Sequence, residues 1–300
     1  DIANSARFAK ALGQTGVEIP KGLGQSVKGK GAITLTKSGD LALRDTVLTL
    51  DSNTISLAAD VALGDVPRVN AQIDAKSLDF ASLLASEGTG SSGGGTGWST
   101  APIDASALSL INGEIAIRTG SLDLGDLKIG ATRSLLSIDR ARAVFEIREL
   151  AAYEGSVTGQ FVANNRNGLS VGGNLAISSV ALEPLLNDSM DLKRLSGDAS
   201  ISVKFLGVGQ SVAAIMSSLS GDGSVSAGPG VISGLDLDSL FNGGDPSGGT
   251  TVFDVLTGSF AMKSGVLLNS DLAMSTGPLK ASGNGKVSLG GKSIDYLLTA

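Results

Sequence analysis

Glu114-Ile-Ala-Ile-Arg118, Ser121-Leu-Asp-Leu124 and Asp126-Leu-Lys-Ile129 alternate apolar and polar residues. Their period is two, at which successive side chains of an extended strand point to opposite faces. Each run therefore has one oily face and one face of Glu, Arg, Ser, Asp or Lys.

The same grammar extends in both directions. Upstream, Gly31-Ala-Ile-Thr-Leu-Thr36 leads to a turn at Lys37-Ser-Gly-Asp40, then Leu41-Ala-Leu-Arg44 and Val47-Leu-Thr-Leu-Asp51. Thr54 to Leu63 and Val69 to Ala75 follow, parted by Gly64-Asp65. Downstream come Arg142 to Arg148, Gly155 to Val162, Leu169 to Ile177, Ala199 to Phe205, Gly258 to Lys263, Asp271 to Met274, Leu279 to Leu289 and Ser293 to Thr299. Turn signals recur at the spacing of consecutive antiparallel strands, which predicts roughly 15 or more strands. Glycine fits this reading, since its 42 residues sit mostly between the runs, where turns and bulges need them. The expected class is mainly β: an elongated, strongly curved antiparallel sheet forming an apolar groove, or an open barrel, with a few short helices. Helices are expected over Ala3–Leu12, Asp79–Ser86, Ala181–Asp188, Gln210–Leu219 and Asp236–Phe241.

A unit recurs. Ser56 to Leu84 and Gly155 to Leu186 each run strand, turn, strand, then a short apolar helix opening on Ser77-Leu-Asp-Phe or Ser179-Val-Ala-Leu. Ser233-Gly-Leu-Asp-Leu is a third version, so the sheet reads as grown by duplication. Glu87 to Gly97, EGTGSSGGGTG, reads as a flexible loop between a leading segment 1–86 and a second segment 98–300. It lacks the closing Lys-Ser/Thr of a phosphate cradle. Trp98, the one tryptophan, is read as an anchor pinning the loop's exit to the sheet, with a membrane or partner contact as the sharper alternative.

Composition removes several function classes. At 42% hydrophobic and 17% charged, the chain is too apolar for disorder, yet no run approaches the length of a spanning helix. A net charge of −6 without a basic block argues against nucleic acid. With no Cys there is neither a disulfide nor a thiolate site, and with no His there is no Ser-His triad or His-ligated metal. Asp236, Asp238 and Asp245 form the densest acidic group, but a calcium loop needs an oxygen ligand where Leu240 stands. They are read as acids at a helix N-terminus. Asp123, Asp126 and Asp139 are read as a solvated strand face. Only 4% aromatic residues leave little to stack a sugar, and Ser211 has no Lys three residues on. The chain is expected not to be an enzyme, and to hold no metal and no cofactor. It starts at Asp1 without a signal peptide, which reads as part of a longer protein.

An oily strand face needs cover. A second sheet face can supply it, giving a closed core. So can acyl chains, in a trough. Alternation alone fits both.

Trp98-Ser-x-x-Pro102-Ile-Asp-x-Ser-x-Leu108, the run Ile115 to Gly130, and Leu150-Ala-Ala-Tyr-Glu-Gly-Ser-Val-Thr-Gly159 resemble the C-terminal region of AsmA family proteins. Leu195-Ser-Gly-Asp-Ala199, Leu219-Ser-Gly-Asp-Gly-Ser-Val225, Gly265 to Leu272 and Leu279 to Leu289 continue the resemblance. It implies a Gram-negative envelope protein, related to TamB and to eukaryotic bridge-like lipid transporters. Such proteins are periplasmic, anchored in the inner membrane by a segment this chain lacks. The implied role is phospholipid transport between inner and outer membrane, or outer-membrane maintenance, with acyl chains in an apolar β-groove. Groove-facing candidates are Ile115, Ile117, Leu122, Leu124, Phe145, Ile147, Val157, Phe161, Ile201, Val203, Phe205, Leu279, Val287 and Leu289. The alternative is an assembly factor whose exposed strand edges serve outer-membrane protein biogenesis.

Overall fold

The computed structural model describes residues 1–7, 24–37, 39–81, 97–125, 128–190, 193–245, 247–277 and 279–299. Eighteen strands and a few short helices lie among them. The chain divides into two compact units: Asp1–Gly94 with Asp104–Leu150 and Asn164–Arg166, and Gly95–Ile103 with Ala151–Ala163 and Asn167–Ala300.

In the first unit, β1 (Val27–Leu35), β2 (Leu41–Leu50), β3 (Asn53–Ala62) and β4 (Arg68–Ala75) pair antiparallel in that order. A short β5 (Leu78–Asp79) follows. β6 (Asn112–Thr119) then joins β4 in parallel, β7 (Leu122–Asp123) joins β5 in parallel, and both pair antiparallel with β8 (Lys128–Asp139). The sheet is mostly antiparallel, as expected, and these two parallel pairs are a local departure from it. Parallel pairing requires a long crossover, which residues 76–111 supply. β9 (Arg142–Ala152) closes the set.

Two runs expected as separate strands, Leu41–Arg44 and Val47–Asp51, are one strand. A bulge between Leu43 and Thr46 joins them, with Asp45 at φ 47°. Asn53 is 3% exposed and acts as a strand partner through its side chain. Its Nδ2 donates to Asp79 O at 2.9 Å, and its Oδ1 accepts from Asp79 N at 2.7 Å. Asn53→Ala leaves both backbone groups of Asp79 without these partners. It is expected to lower stability in urea by about 2 kcal/mol and to speed exchange of the Asp79 amide.

In the second unit, β10 (Gly155–Asn164) precedes a continuous antiparallel ladder. The order is β11 (Ser170–Ala181), β12 (Leu195–Val208), β13 (Ser220–Leu235), β15 (Val255–Lys263), β16 (Val266–Thr276), β17 (Leu279–Ser288) and β18 (Ser293–Thr299). β14 (Ser247–Phe253) pairs with the far half of β13.

Helices lie at Leu182–Met190, Val212–Ser218 and Leu237–Phe241, inside or close to the expected spans. The two others fall mostly outside the described residues. Ser5–Arg7 is helical, and Ala81 N–H donates to Asp79 Oδ1 at 3.0 Å, as an N-capping acid would accept. Residue 79 itself belongs to β5, so the first copy of the repeat opens as strand.

The second unit's core is small and sits at one end of its ladder. Leu182, Ala199, Ala227, Leu237, Phe253, Met274 and Ala281 form it, with Leu186, Leu195, Ile232, Leu235 and Leu256 packed around. Among the described residues, only Phe253, Leu237 and Val180 are large side chains less than 2% exposed.

Candidate functional site

Register decides which side chains share a face. In the first unit, Leu43, Ala59, Ala71, Ile115 and Leu136 form one cross-strand row, and Leu57, Ile73 and Ile117 form the next. The candidates Ile115 and Ile117 thus lie on a face shared by five strands. Leu122 pairs with Ile129, and Leu124 follows β7. Phe145 and Ile147 lie in β9. All six are half-buried.

In the second unit the rows are longer. Ile177, Ile201, Val225 and Gly258 are in register, as are Leu175, Val203, Gly223 and Phe260. Gly173, Phe205, Gly221, Met262, Leu267 and Val287 continue the same face across six strands. Leu279, eight residues before Val287 in β17, shares it. Phe161 of β10 meets Phe205 with ring centroids 6.2 Å apart, and Val157 lies four residues earlier in the same strand. Leu289 stands beyond the end of β17, in the turn to β18.

Glycine makes this face level. Phe205 registers with Gly173 on one side and Gly221 on the other, and a Cβ at Gly223 would run into the Phe260 ring. An aromatic ring laid over glycine, as Phe260 over Gly223, keeps apolar area while leaving room above the sheet.

Degree of burial separates this face from a closed core. Along β12, Ile201, Val203 and Phe205 are half-buried, while Ser200, Ser202, Lys204 and Leu206 opposite are exposed. Side chains inside a filled sandwich are close-packed and dry. These remain partly open to solvent.

Both strand ends of the second unit are covered. At one end lies the Phe253 cluster with the Leu182–Met190 and Leu237–Phe241 helices. At the other, the Val212–Ser218 helix is capped by Ser211 Oγ, which accepts from Ala214 N at 3.2 Å. A strap of residues 97–103 binds there. Trp98 Nε1 donates to Leu289 O at 2.6 Å, Ala213 N to Ser99 O at 2.9 Å, and Ile103 N to Gln210 O at 2.8 Å. Lys292 Nζ stands 4.3 Å from the Trp98 ring centroid. Trp98 is thus the anchor expected from its sequence position.

The opposite faces carry the charged residues, together with the exposed Leu206, Val208, Leu268 and Leu297. Arg44–Asp60, Arg118–Asp74, Arg133–Glu149 and Lys286–Asp295 are exposed ion pairs there, each contributing little to stability. A depression of about 920 Å³ opens on this side of the second unit, where Lys286 and Asp295 are already paired at 3.2 Å.

The acidic groups serve local turns. Asp236 accepts from Ser239 N at 3.0 Å and Ser239 Oγ at 2.9 Å, capping the Leu237–Phe241 helix, and these bonds hold its carboxyl below the usual range. Asp245 does the same for Ser247. Among the described residues, no group of acidic side chains is placed to hold a metal. Asp271 accepts from Ser259 N at 2.8 Å and Ser259 Oγ at 2.6 Å, and Asn269 Nδ2 adds a bond at 2.8 Å. Its pKa is lowered by the Ser259 bonds first. Asn269 also receives the Tyr296 hydroxyl, whose pKa is raised by burial and then by the Asp271 charge. The bulges of β15 (between Thr257 and Ala261) and β16 (between Asn269 and Leu272) lie at this network, so it clamps irregular backbone. A carboxylate already holding three donors is a structural acceptor rather than a base poised near neutral pH.

A family model, that of the AsmA family, matches residues 4–272. The chain belongs to the AsmA family, a group associated with the cell envelope and with lipid transport or assembly there. The match takes in the N-terminal strands as well as the motifs after Trp98. No curated protein and no solved structure matches the chain. Among the described residues, no helix is long and apolar enough to cross a membrane.

Proposed function

We propose that this chain is a non-catalytic periplasmic protein that holds phospholipid acyl chains against its apolar sheet faces. It serves transport between the inner and outer membranes or upkeep of the outer membrane, and in the full-length protein it is anchored to the inner membrane. One observation carries the reading: the ladder collects the alternating aliphatic residues on one face, and that face stays half-open. Apolar area left in water costs about 25 cal/mol per Å², and a flexible acyl chain can cover a long shallow surface without precise shape. The Phe260 ring over Gly223, and the glycines either side of Phe205 in register, suit such a chain.

A photoreactive amino acid placed at Ile117, Val203, Phe205 or Val287 is expected to crosslink to phospholipid in cell envelopes. The same group at Glu146 or Lys204 should not. Crosslinks confined to the polar positions would sink the proposal. The second reading, an assembly factor for outer-membrane proteins, draws on β18, where Ile294 and Leu297 are exposed. It calls for protein crosslinks from Leu297 and no lipid.

A further inference from the structure

Several chain connections of the first unit end at one sheet edge. The pairs Leu35–Leu41, Leu41–Val61, Ala62–Arg68 and Arg68–Asn112 bring there the turns 36–40 and 63–67 and the approach to β6. Asn112 N donates to Pro67 O at 2.9 Å, fixing that approach beside the second turn. Leu35 (66% exposed), Leu63 (57%), Val66 (45%) and Leu110 (66%) stand along this edge.

One exposed aliphatic residue is ordinary; four on neighbouring connections of one edge form a patch that needs a partner. Lys37, Arg68, Arg140, Arg142 and Arg166 stand at this edge with Asp40, Asp65 and Asp139, so it carries net positive charge beside its aliphatic residues, the complement of an anionic bilayer surface. Protein interfaces centre on Trp, Tyr and Arg anchors seated in pockets. This row instead offers exposed aliphatic side chains with long cationic ones beside them. That suits a bilayer surface, which asks for no shape complementarity. Leu and Val can enter the acyl boundary while Lys37 and Arg68 reach back to the headgroups.

We propose that this edge docks on the surface of a phospholipid bilayer, inserting Leu35, Leu63, Val66 and Leu110. The contact does not depend on acyl chains occupying the sheet face. The chain has no native cysteine, so single-site labelling is clean. Leu63→Cys carrying an environment-sensitive fluorophore is expected to brighten at least ~2-fold and shift blue on mixed phosphatidylethanolamine–phosphatidylglycerol vesicles, and labelled Asn284→Cys is expected to stay unchanged. Flotation with these vesicles should fall at least ~10-fold in the combined Leu35→Ser, Leu63→Ser, Leu110→Ser variant, and the parent's flotation should weaken in raised salt. Because these side chains are exposed, circular dichroism should match the parent. The Val203→Glu variant should float like the parent, separating this contact from lipid held on the sheet face. Equal flotation of parent and triple-serine variant overturns the proposal. So does a silent label at Leu63, or a parent that floats only when another protein is added.

Discussion

Val203→Glu is expected to strip co-purifying phospholipid from the chain by at least ~10-fold, about 1.4 kcal/mol per bound chain, while Lys204→Glu leaves the lipid content unchanged. The two residues are neighbours in β12 but face opposite ways. Val203 registers with Leu175 and Gly223, in the middle of the apolar rows, and Lys204 with Asn174 and Asp222. An ionised carboxylate against acyl chains loses its hydration and gains no partner, which is costly. In the lipid-free protein the cost is smaller. Val203 is only half-buried and faces a glycine, so a glutamate can turn toward water. The expected signature is therefore lost lipid with preserved fold, read by lipid extraction and mass spectrometry beside circular dichroism. Val225→Glu, one strand along, should behave alike if Val203→Glu perturbs folding. Unchanged lipid in both variants would remove the apolar face as the binding surface.

The strands and their oily faces were legible because a period of two is written directly in the residue order, as Glu114 to Arg118 and Ala199 to Phe205 demonstrate. Register then brings Ile201, Val203, Phe205 and Val287 to one face, although they come from strands more than 80 residues apart. Some connections were not legible. Arg140-Ala141 and Tyr153-Glu154 form two-residue turns with positive φ at both positions (46° and 59°, 50° and 64°). Such turns ordinarily announce themselves by Asn or Gly. Here the flanking strands impose a conformation that these residues disfavour, so no local signal exists. The parallel pairing of β4 with β6 was equally hidden, since alternation looks the same in either direction. The choice between a closed core and an open face was out of reach as well, because both put the same residues inward. It turns on the fraction of each side chain left exposed, a property of the layers around a strand.

Phe253→Ala is expected to destabilise the second unit by about 4 kcal/mol, the middle of the range for a buried aromatic truncation. Phe253 is 0% exposed in β14, beside Gly230, where a Cβ would collide with its ring. It sits among Leu182, Leu237, Ala199, Ala227, Met274 and Ala281, joining two helices to four strands of the ladder. An ordinary core of this chain length would spread such a loss over many large residues. Here the ladder places its apolar side chains on a half-open face, and few large ones are fully buried, so the loss falls on this one cluster. Val252→Ala, the adjacent exposed residue, should change stability by less than ~0.5 kcal/mol. Trp98, the single tryptophan, belongs to this unit and reports its unfolding in urea. If Phe253→Ala fails to fold, Phe253→Leu should still show a loss of about 1–1.5 kcal/mol. A Phe253→Ala protein within ~1 kcal/mol of the parent would mean that the ladder stands without its closed end. The end cluster would then be free to open, and the apolar face would be continuous past it.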